Sequence, residues 1–323
     1  QEQVMFTISR DGYVKRVSMR SYGAANDAMT GIKEGDHLIG YGEVNTLDNI
    51  LFFTSKGTYG YVPVYEVDDA KWKEIGSHIN SKIKITSDEK ITDAFIVKDF
   101  KTNSYMISIT RHGLVKKTAI CEYEVSRNNK TMSNMKLLED DEVVQTYVAY
   151  EEDEILIASK KGYITRYPIS LIPATSPRSK GVKAMNLVED EIASALIYNN
   201  DNRQLVVFSD DCACKRMKLT DIDVTGRPTK GSMLCKKVKS KPYHIAYISL
   251  HDLNDEIVIA NSEIHKVVSK DIPLMAKDAT FSAMLKGITD FYLLKELPKV
   301  ELRELPKQEE VEEEDFEALS LFE

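Results

Sequence analysis

One tryptophan, four cysteines and no apolar run long enough to cross a bilayer narrow the possibilities for this 323-residue chain. A spanning helix needs about 20 mostly apolar residues, so none is expected. The cysteines stand at 121, 212, 214 and 235: one Cys-x-Cys, with no second pair at zinc-ribbon spacing. They read as reduced thiols of a cytosolic protein and not as a metal site. The six histidines (37, 78, 112, 244, 251 and 265) form no i, i+4 pair. There is no Gly-x4-Gly-Lys-Ser/Thr loop and no His-Glu-x-x-His, and Gly40-Tyr41-Gly42 lacks the third glycine of a dinucleotide site. No catalytic residue, metal ligand or cofactor is therefore nominated. Long helical periodicity is also missing; Asp69 to Ile79 has room for one or two helical turns at most. The chain opens on Gln1 without a charged-then-apolar leader, which reads as a fragment of a longer protein and not a secreted precursor.

What is present is an ordinary globular composition, 42% hydrophobic and 29% charged. The net charge of -8 comes from one place. Residues 301–323 hold ten acids and two bases, and the other 300 residues hold 41 of each. The body is neutral and can still carry a cationic face if its bases are sorted to one side. Residues 299–323 read as an acidic, disordered tail behind a domain over 1–298.

The body repeats itself. Ser9-Arg10-Asp11-Gly12-Tyr13-Val14-Lys15-Arg16 returns as Thr110-Arg111-His112-Gly113-Leu114-Val115-Lys116-Lys117 and as Ser159-Lys160-Lys161-Gly162-Tyr163-Ile164-Thr165-Arg166. A fourth copy runs from Ser209 to Arg216, a looser one from Thr54 to Tyr61, and a decayed one from Ala260 to Val267. The glycine slot falls at 12, 57, 113, 162, 212 and 263. A second marker follows 19 residues later, at Gly31, Gly76, Met132, Gly181, Gly231 and Ser282. Each copy begins with an apolar strand, such as Ile50-Leu51-Phe52-Phe53, then turns at the glycine slot into a second strand, which is a hairpin. Repeats of about 45–50 residues with four strands each read as propeller blades. Six copies predict an all-β, six-bladed ring.

The bases recur with the repeat. One group lies past the glycine slot on the second hairpin strand: Lys15, Arg16, Lys116, Lys117, Arg166, Lys215 and Arg216. Another precedes the slot: Arg10, Lys56, Arg111, Lys160 and Lys161. A third, near the second marker, holds Arg178, Lys180, Lys183, Arg227 and Lys230. Rotation about the ring axis would put equivalent positions on one rim, a cationic belt for a bent polyanion. Such a belt tracks phosphates and does not read bases. The competing reading is that these are solubilising bases on exposed strands.

The stretches Ser9 to Arg16 with Arg20-Ser21-Tyr22, Gly42-Glu43-Val44-Asn45-Thr46, and Thr110 to Thr118 resemble the C-terminal domain of the A subunit of bacterial type IIA topoisomerases. The likeness spans about residues 3–295. It implies a β-pinwheel, a propeller whose blades exchange strands, with duplex DNA bound and bent around the rim. It adds Arg20 to the DNA-contacting residues. In the gyrase branch the first blade carries a Gln-Arg-Arg-Gly-Gly-Lys-Gly box; the equivalent Gly23 to Gly31 here has no basic residue. That, with Trp72 to Ile79, is similar to the topoisomerase IV branch. The resemblance implies a non-catalytic part, without the family's catalytic tyrosine, of an ATP-dependent enzyme that decatenates and relaxes DNA in the bacterial cytoplasm. ATP and Mg would serve its other parts. The implied partners are double-stranded DNA, the ATPase B subunit and the N-terminal breakage-reunion core of the same polypeptide, with no membrane; the isolated fragment would be monomeric. A gyrase-type wrapping domain and a protein-interaction propeller stay open as alternatives.

Overall fold

The computed structural model describes residues 1–126, 129–199 and 202–303. Its sheets form six blades in a ring. Each blade is built on an antiparallel hairpin. In the first, Gln3–Ser9 pairs with Tyr13–Ser18, and in the fourth, Glu154–Ser159 pairs with Tyr163–Pro168. Gly12, Gly57, Gly113 and Gly162 turn these hairpins at positive φ, and Cys212 takes the same conformation in the fifth blade at 62°. A third strand returns to the inside of the ring: Leu38–Asn45, Ile91–Val97, Val143–Ala149, Ile192–Tyr198, Ile245–His251 and Tyr292–Leu293 in turn. These inner strands surround an axial cavity of about 750 Å³.

The continuous apolar runs have a simple cause. A strand's side chains alternate between faces, and here both faces are covered by neighbouring blades. Ile50 and Phe52 pack towards the first blade, while Leu51 and Phe53 pack towards the third. The core is thus a series of joints between blades. Among the described residues, five joints hold nine or more buried apolar side chains each. The joint between sixth and first blades fully buries three among the described residues, Leu38, Ala260 and Tyr292, with half-buried Met29, Ile32, Tyr41, Tyr247 and Leu294 packed against them.

Blades exchange strands. After the second to fifth hairpins the chain makes a 3₁₀ turn, crosses to the preceding blade and adds a two-residue strand to its outer edge. Ser77–His78 pairs with Tyr13 and Val14, Met132–Ser133 with the second blade, Val182–Lys183 with the third and Ser232–Met233 with the fourth. The second marker glycines sit where the crossing chain lies hard against that edge. A Cβ on Gly181 would collide with the Val115 carbonyl, and one on Gly231 with the Ile164 carbonyl. The expected four strands per blade therefore hold for the first, third and fourth. The fifth receives only a single bridge, Cys214 to Ser282, and the sixth has three strands. Over Asp69 to Ile79 the only helical residue is Ile79, which opens a 3₁₀ turn, Ile79–Ser81; the one α-helix among the described residues is Met19–Ala24, capped by the Ser18 hydroxyl.

The boundary expected at residue 298 falls too early. Lys299–Val300 runs parallel to the inner strand of the second blade, with Val300 buried beside Phe95 and Tyr123. Leu297 is buried over Gly40 and Gly42, where a Cβ on Gly40 would collide with its side chain. Arg303 stacks 3.7 Å from the Tyr150 ring centroid and pairs with Glu152 and Asp153 at 2.9 and 2.7 Å. Residues 295–303 are thus a strap across blades one to four. The rest of the expected tail, 304–323, lies outside the described residues.

Candidate nucleic-acid interface

The basic slot on the second hairpin strand is not a surface feature. Lys15 and Lys215 are 0% exposed and Lys116 is 1% exposed; Lys117 and Arg216 are buried as well. Lys15 Nζ donates to the Trp72 carbonyl at 2.7 Å and to that of Glu74. Lys215 donates to the carbonyls of Ala276, Lys277 and Ala279 at 3.3, 2.6 and 2.8 Å. Both cages are made by the chain crossing from the next blade. Lys116 turns to the hydroxyls of Thr118 and Tyr123. Burial pushes the Lys15 and Lys215 amines down to about 8 and that of Lys116 down to about 7.

The next residue along clamps the following 3₁₀ turn. Arg16 bonds the Tyr65 carbonyl and pairs with Asp69 at 2.8 Å. Lys117 reaches the Ile169 carbonyl and Glu151, both at 3.3 Å. Arg166 bonds the Leu219 and Ile222 carbonyls and pairs with Glu154 at 2.8 Å. Arg216 bonds the Ile272 and Lys270 carbonyls. This corrects the expectation that the slot forms a phosphate belt. Lys15, Lys116, Lys117, Lys215 and Arg216 are buried in the blades and their joints, and Arg16 and Arg166 are half-buried with their guanidinium groups engaged.

The remaining expected residues divide again. Arg10 bonds the Gly35 carbonyl and approaches Asp11 at 3.6 Å. Arg111 pairs with Glu142 at 2.9 Å, Lys160 with Glu191 at 3.2 Å and Lys56 with Asp88 at 4.0 Å. Arg227 is half-buried and donates to the Leu171 and Lys183 carbonyls. Arg20, Lys161, Arg178, Lys180, Lys183 and Lys230 are exposed, and none pairs with a carboxylate among the described residues. Four of these, Arg178, Lys180, Lys183 and Lys230, lie on the exchanged segments of the fourth and fifth blades. Four cations not nominated from sequence join them: Lys236, Lys237, Lys239 and Lys241, all exposed. The signal for them was the run Cys235-Lys-Lys-Val-Lys-Ser-Lys241, the densest in lysine in the body. Exposed cations without carboxylate partners are thus densest on the exchanged segments of the fourth and fifth blades, and the segments of the second and third blades add Lys71, Lys73, Lys84, Lys130 and Lys136. The first blade's equivalent, Gly23 to Gly31, contributes none.

Other chemistry is sparse. Among the described residues no group of three or more His, Cys, Asp or Glu side chains is placed to hold a metal ion. Burial pushes the Cys212 and Cys214 thiols up to about 12 and about 11, which disfavours the nucleophilic thiolate. No helix among the described residues is long and apolar enough to cross a membrane.

The profile of the family described as DNA gyrase C-terminal domain, beta-propeller, matches residues 3–40, 48–98, 104–149, 153–199 and 204–250, one blade after another. The chain belongs to this family. Within it, the A subunit of DNA topoisomerase 4 from Bacillus subtilis is 33% identical over 246 residues, covering 76% of this chain and 30% of the relative. The chain thus spans about a third of the length of such relatives. The crystal structure of a topoisomerase IV C-terminal domain superposes with a TM-score of 0.80 at 32% identity, over 90% of this chain and 93% of that one. A gyrase A C-terminal domain shares the fold, with a TM-score of 0.71 at 20% identity over 92% of this chain and 100% of that one. The family's β-pinwheel is the ring of strand-exchanging blades described above.

Proposed function

We propose that this chain is the duplex-holding, non-cleaving part of a topoisomerase IV A subunit, working in the bacterial cytoplasm beside the breakage-reunion core and the ATPase partner. The observation that carries the reading is the arc of exposed cations without carboxylate partners: Arg178, Lys180, Lys183 and Lys230 with Lys236, Lys237, Lys239 and Lys241. Duplex DNA presents about one negative charge per 1.7 Å of axis, so a cationic outer edge neutralises phosphates in series and releases counterions. Positioning by phosphate contacts confers no base specificity. Bending a 20–30 bp site costs about 1–6 kcal/mol, which several such contacts offset. The bent duplex would meet the cleavage gate at a preferred crossing angle, favouring decatenation and relaxation. ATP and Mg chemistry belongs, on this reading, to other parts of the enzyme.

The test is affinity for a duplex of about 40 bp across a salt series. Six or more phosphate contacts predict a loss of about 10³–10⁵ in affinity between 50 and 200 mM salt. No binding at low salt would sink the reading and leave a protein-interaction propeller. A large linking-number shift in ligated circles would instead indicate gyrase-type wrapping, against which the Gly23 to Gly31 stretch, without a basic residue, argues.

A further inference from the structure

The arc is not a smooth ridge. Between the exchanged segments of the fourth and fifth blades it opens into a groove of about 420 Å³. Small-ligand sites occupy about 300–1,000 Å³, so this one is far larger than a phosphate needs. Its apolar lining includes Met185, Leu187, Cys235 and Val238. Tyr163 stands at its wall between two amines: Lys230 Nζ lies 4.7 Å from the ring centroid and Lys237 Nζ 5.4 Å. Lys161, Lys236 and Lys239 complete the mouth. The one acid in the lining, Asp190, has its carboxylate engaged by the backbone N–H groups of Lys161 and Glu191 at 3.0 and 2.8 Å. The two amines hold the Tyr163 phenol below its ordinary pKa, Lys237 most strongly.

A ligand for this groove must be anionic at the mouth and apolar within. An intact duplex supplies the first property only, because its bases are stacked inside. A nucleotide that has left the stack supplies both. Kinked duplexes lose stacking at a few steps, and apolar or aromatic side chains take up base surface freed in that way. Resting on the duplex-holding role proposed above, we propose that the groove between blades four and five seats one unstacked nucleotide of the bound DNA, its phosphate between Lys230 and Lys237 and its base on the Met185–Val238 floor. The bend would then be localised at this joint.

The experiment uses the full chain and two 30 bp duplexes, one fully paired and one with a central unpaired 2-aminopurine. The bulged duplex is expected to bind at least about fivefold more tightly, since one stacked base is worth about 1–3 kcal/mol, with a change in 2-aminopurine fluorescence on seating. The exposed double variant K230Q/K237Q, and separately Val238→Ser, should remove the preference while the paired duplex still binds. Equal affinity for the two duplexes in the unaltered chain, or a preference that survives K230Q/K237Q, overturns the proposal and leaves the duplex-holding role intact. Failure of both duplexes to bind overturns both. If a polyglutamate peptide binds in a Lys230- and Lys237-dependent manner and the bulge brings no gain, the groove is an acidic-peptide site and the proposal falls.

Discussion

Lysines on the hairpin strands and lysines on the exchanged segments have the same chemistry and opposite fates. In the slot three residues past the hairpin turn, Lys15 and Lys215 vanish into carbonyl cages, and Thr165 in the same slot bonds the Thr229 hydroxyl at 2.8 Å. In each case the partner is the chain crossing from the next blade. The sixth blade provides the control. Its outer hairpin strand is paired with no exchanged strand among the described residues, and the slot residue Lys266 is exposed, held only to Glu256 at 3.6 Å. Burial of the slot lysine thus follows from strand exchange and not from the residue type. Cations on the exchanged segments themselves, such as Lys180 and Lys237, have no segment above them and remain open to solvent.

The sharpest way to break this contrast is to reverse charge in a cage. Lys215→Glu would set a carboxylate against three carbonyl oxygens and should cost about 3–5 kcal/mol in chemical denaturation, the range for an uncompensated buried charge. Lys266→Glu, in the uncaged copy, should change stability by about 0.5 kcal/mol or less. Similar losses for both would refute the cage as the cause. A smaller effect on stability and a larger one on binding is expected of Arg178, Lys180 and Lys183 changed together to glutamine. Stability should stay within about 0.5 kcal/mol, and the slope of log affinity against log salt should flatten by about 2–3. Lys15→Met should do the reverse, lowering stability with no change in that slope. An unchanged slope in the triple variant would remove the arc from the DNA path.

The ring was legible in the sequence because its signals repeat: apolar runs such as Ile50 to Phe53, a turn residue, and a second strand at fixed offset. The recurrence of basic residues was equally plain, but its cause was not. A slot kept basic to bind phosphate and one kept basic to bond a crossing backbone leave the same trace. What separates them is the exchanged strand, and at two residues, as in Val182–Lys183, that strand is too short to show a period. The strap was hidden for a similar reason. Lys299 and Val300 adjoin the acidic run and took its reading, while Gly40 and Gly42 marked a close approach within a strand without saying what approaches.

A last test separates the two lysine classes by pH. Lys116 is buried against hydroxyls only, and its amine lies at about 7, against about 10.4 for an unfolded chain. Between those values the unfolded state holds a proton that the native state has released, so stability rises with pH, by at most about 1.4 kcal/mol per unit for each such proton. Lys15 and Lys215, at about 8, add to the rise over a narrower window. Their carbonyl cages favour the ammonium, which makes Lys116 the strongest contributor. Buried tyrosines set the upper limit. Tyr123, in contact with Lys116, and Tyr147 and Tyr167 resist ionisation through burial, so above about pH 10 the unfolded state loses protons that the native state keeps, and stability falls. Denaturation midpoints should therefore climb from pH 7 to a maximum between about 9 and 10. Lys116→Met should flatten the climb, whereas Lys180→Met, on the open arc, should leave it unchanged; equal slopes in the two variants would show that Lys116 keeps its proton in the folded ring.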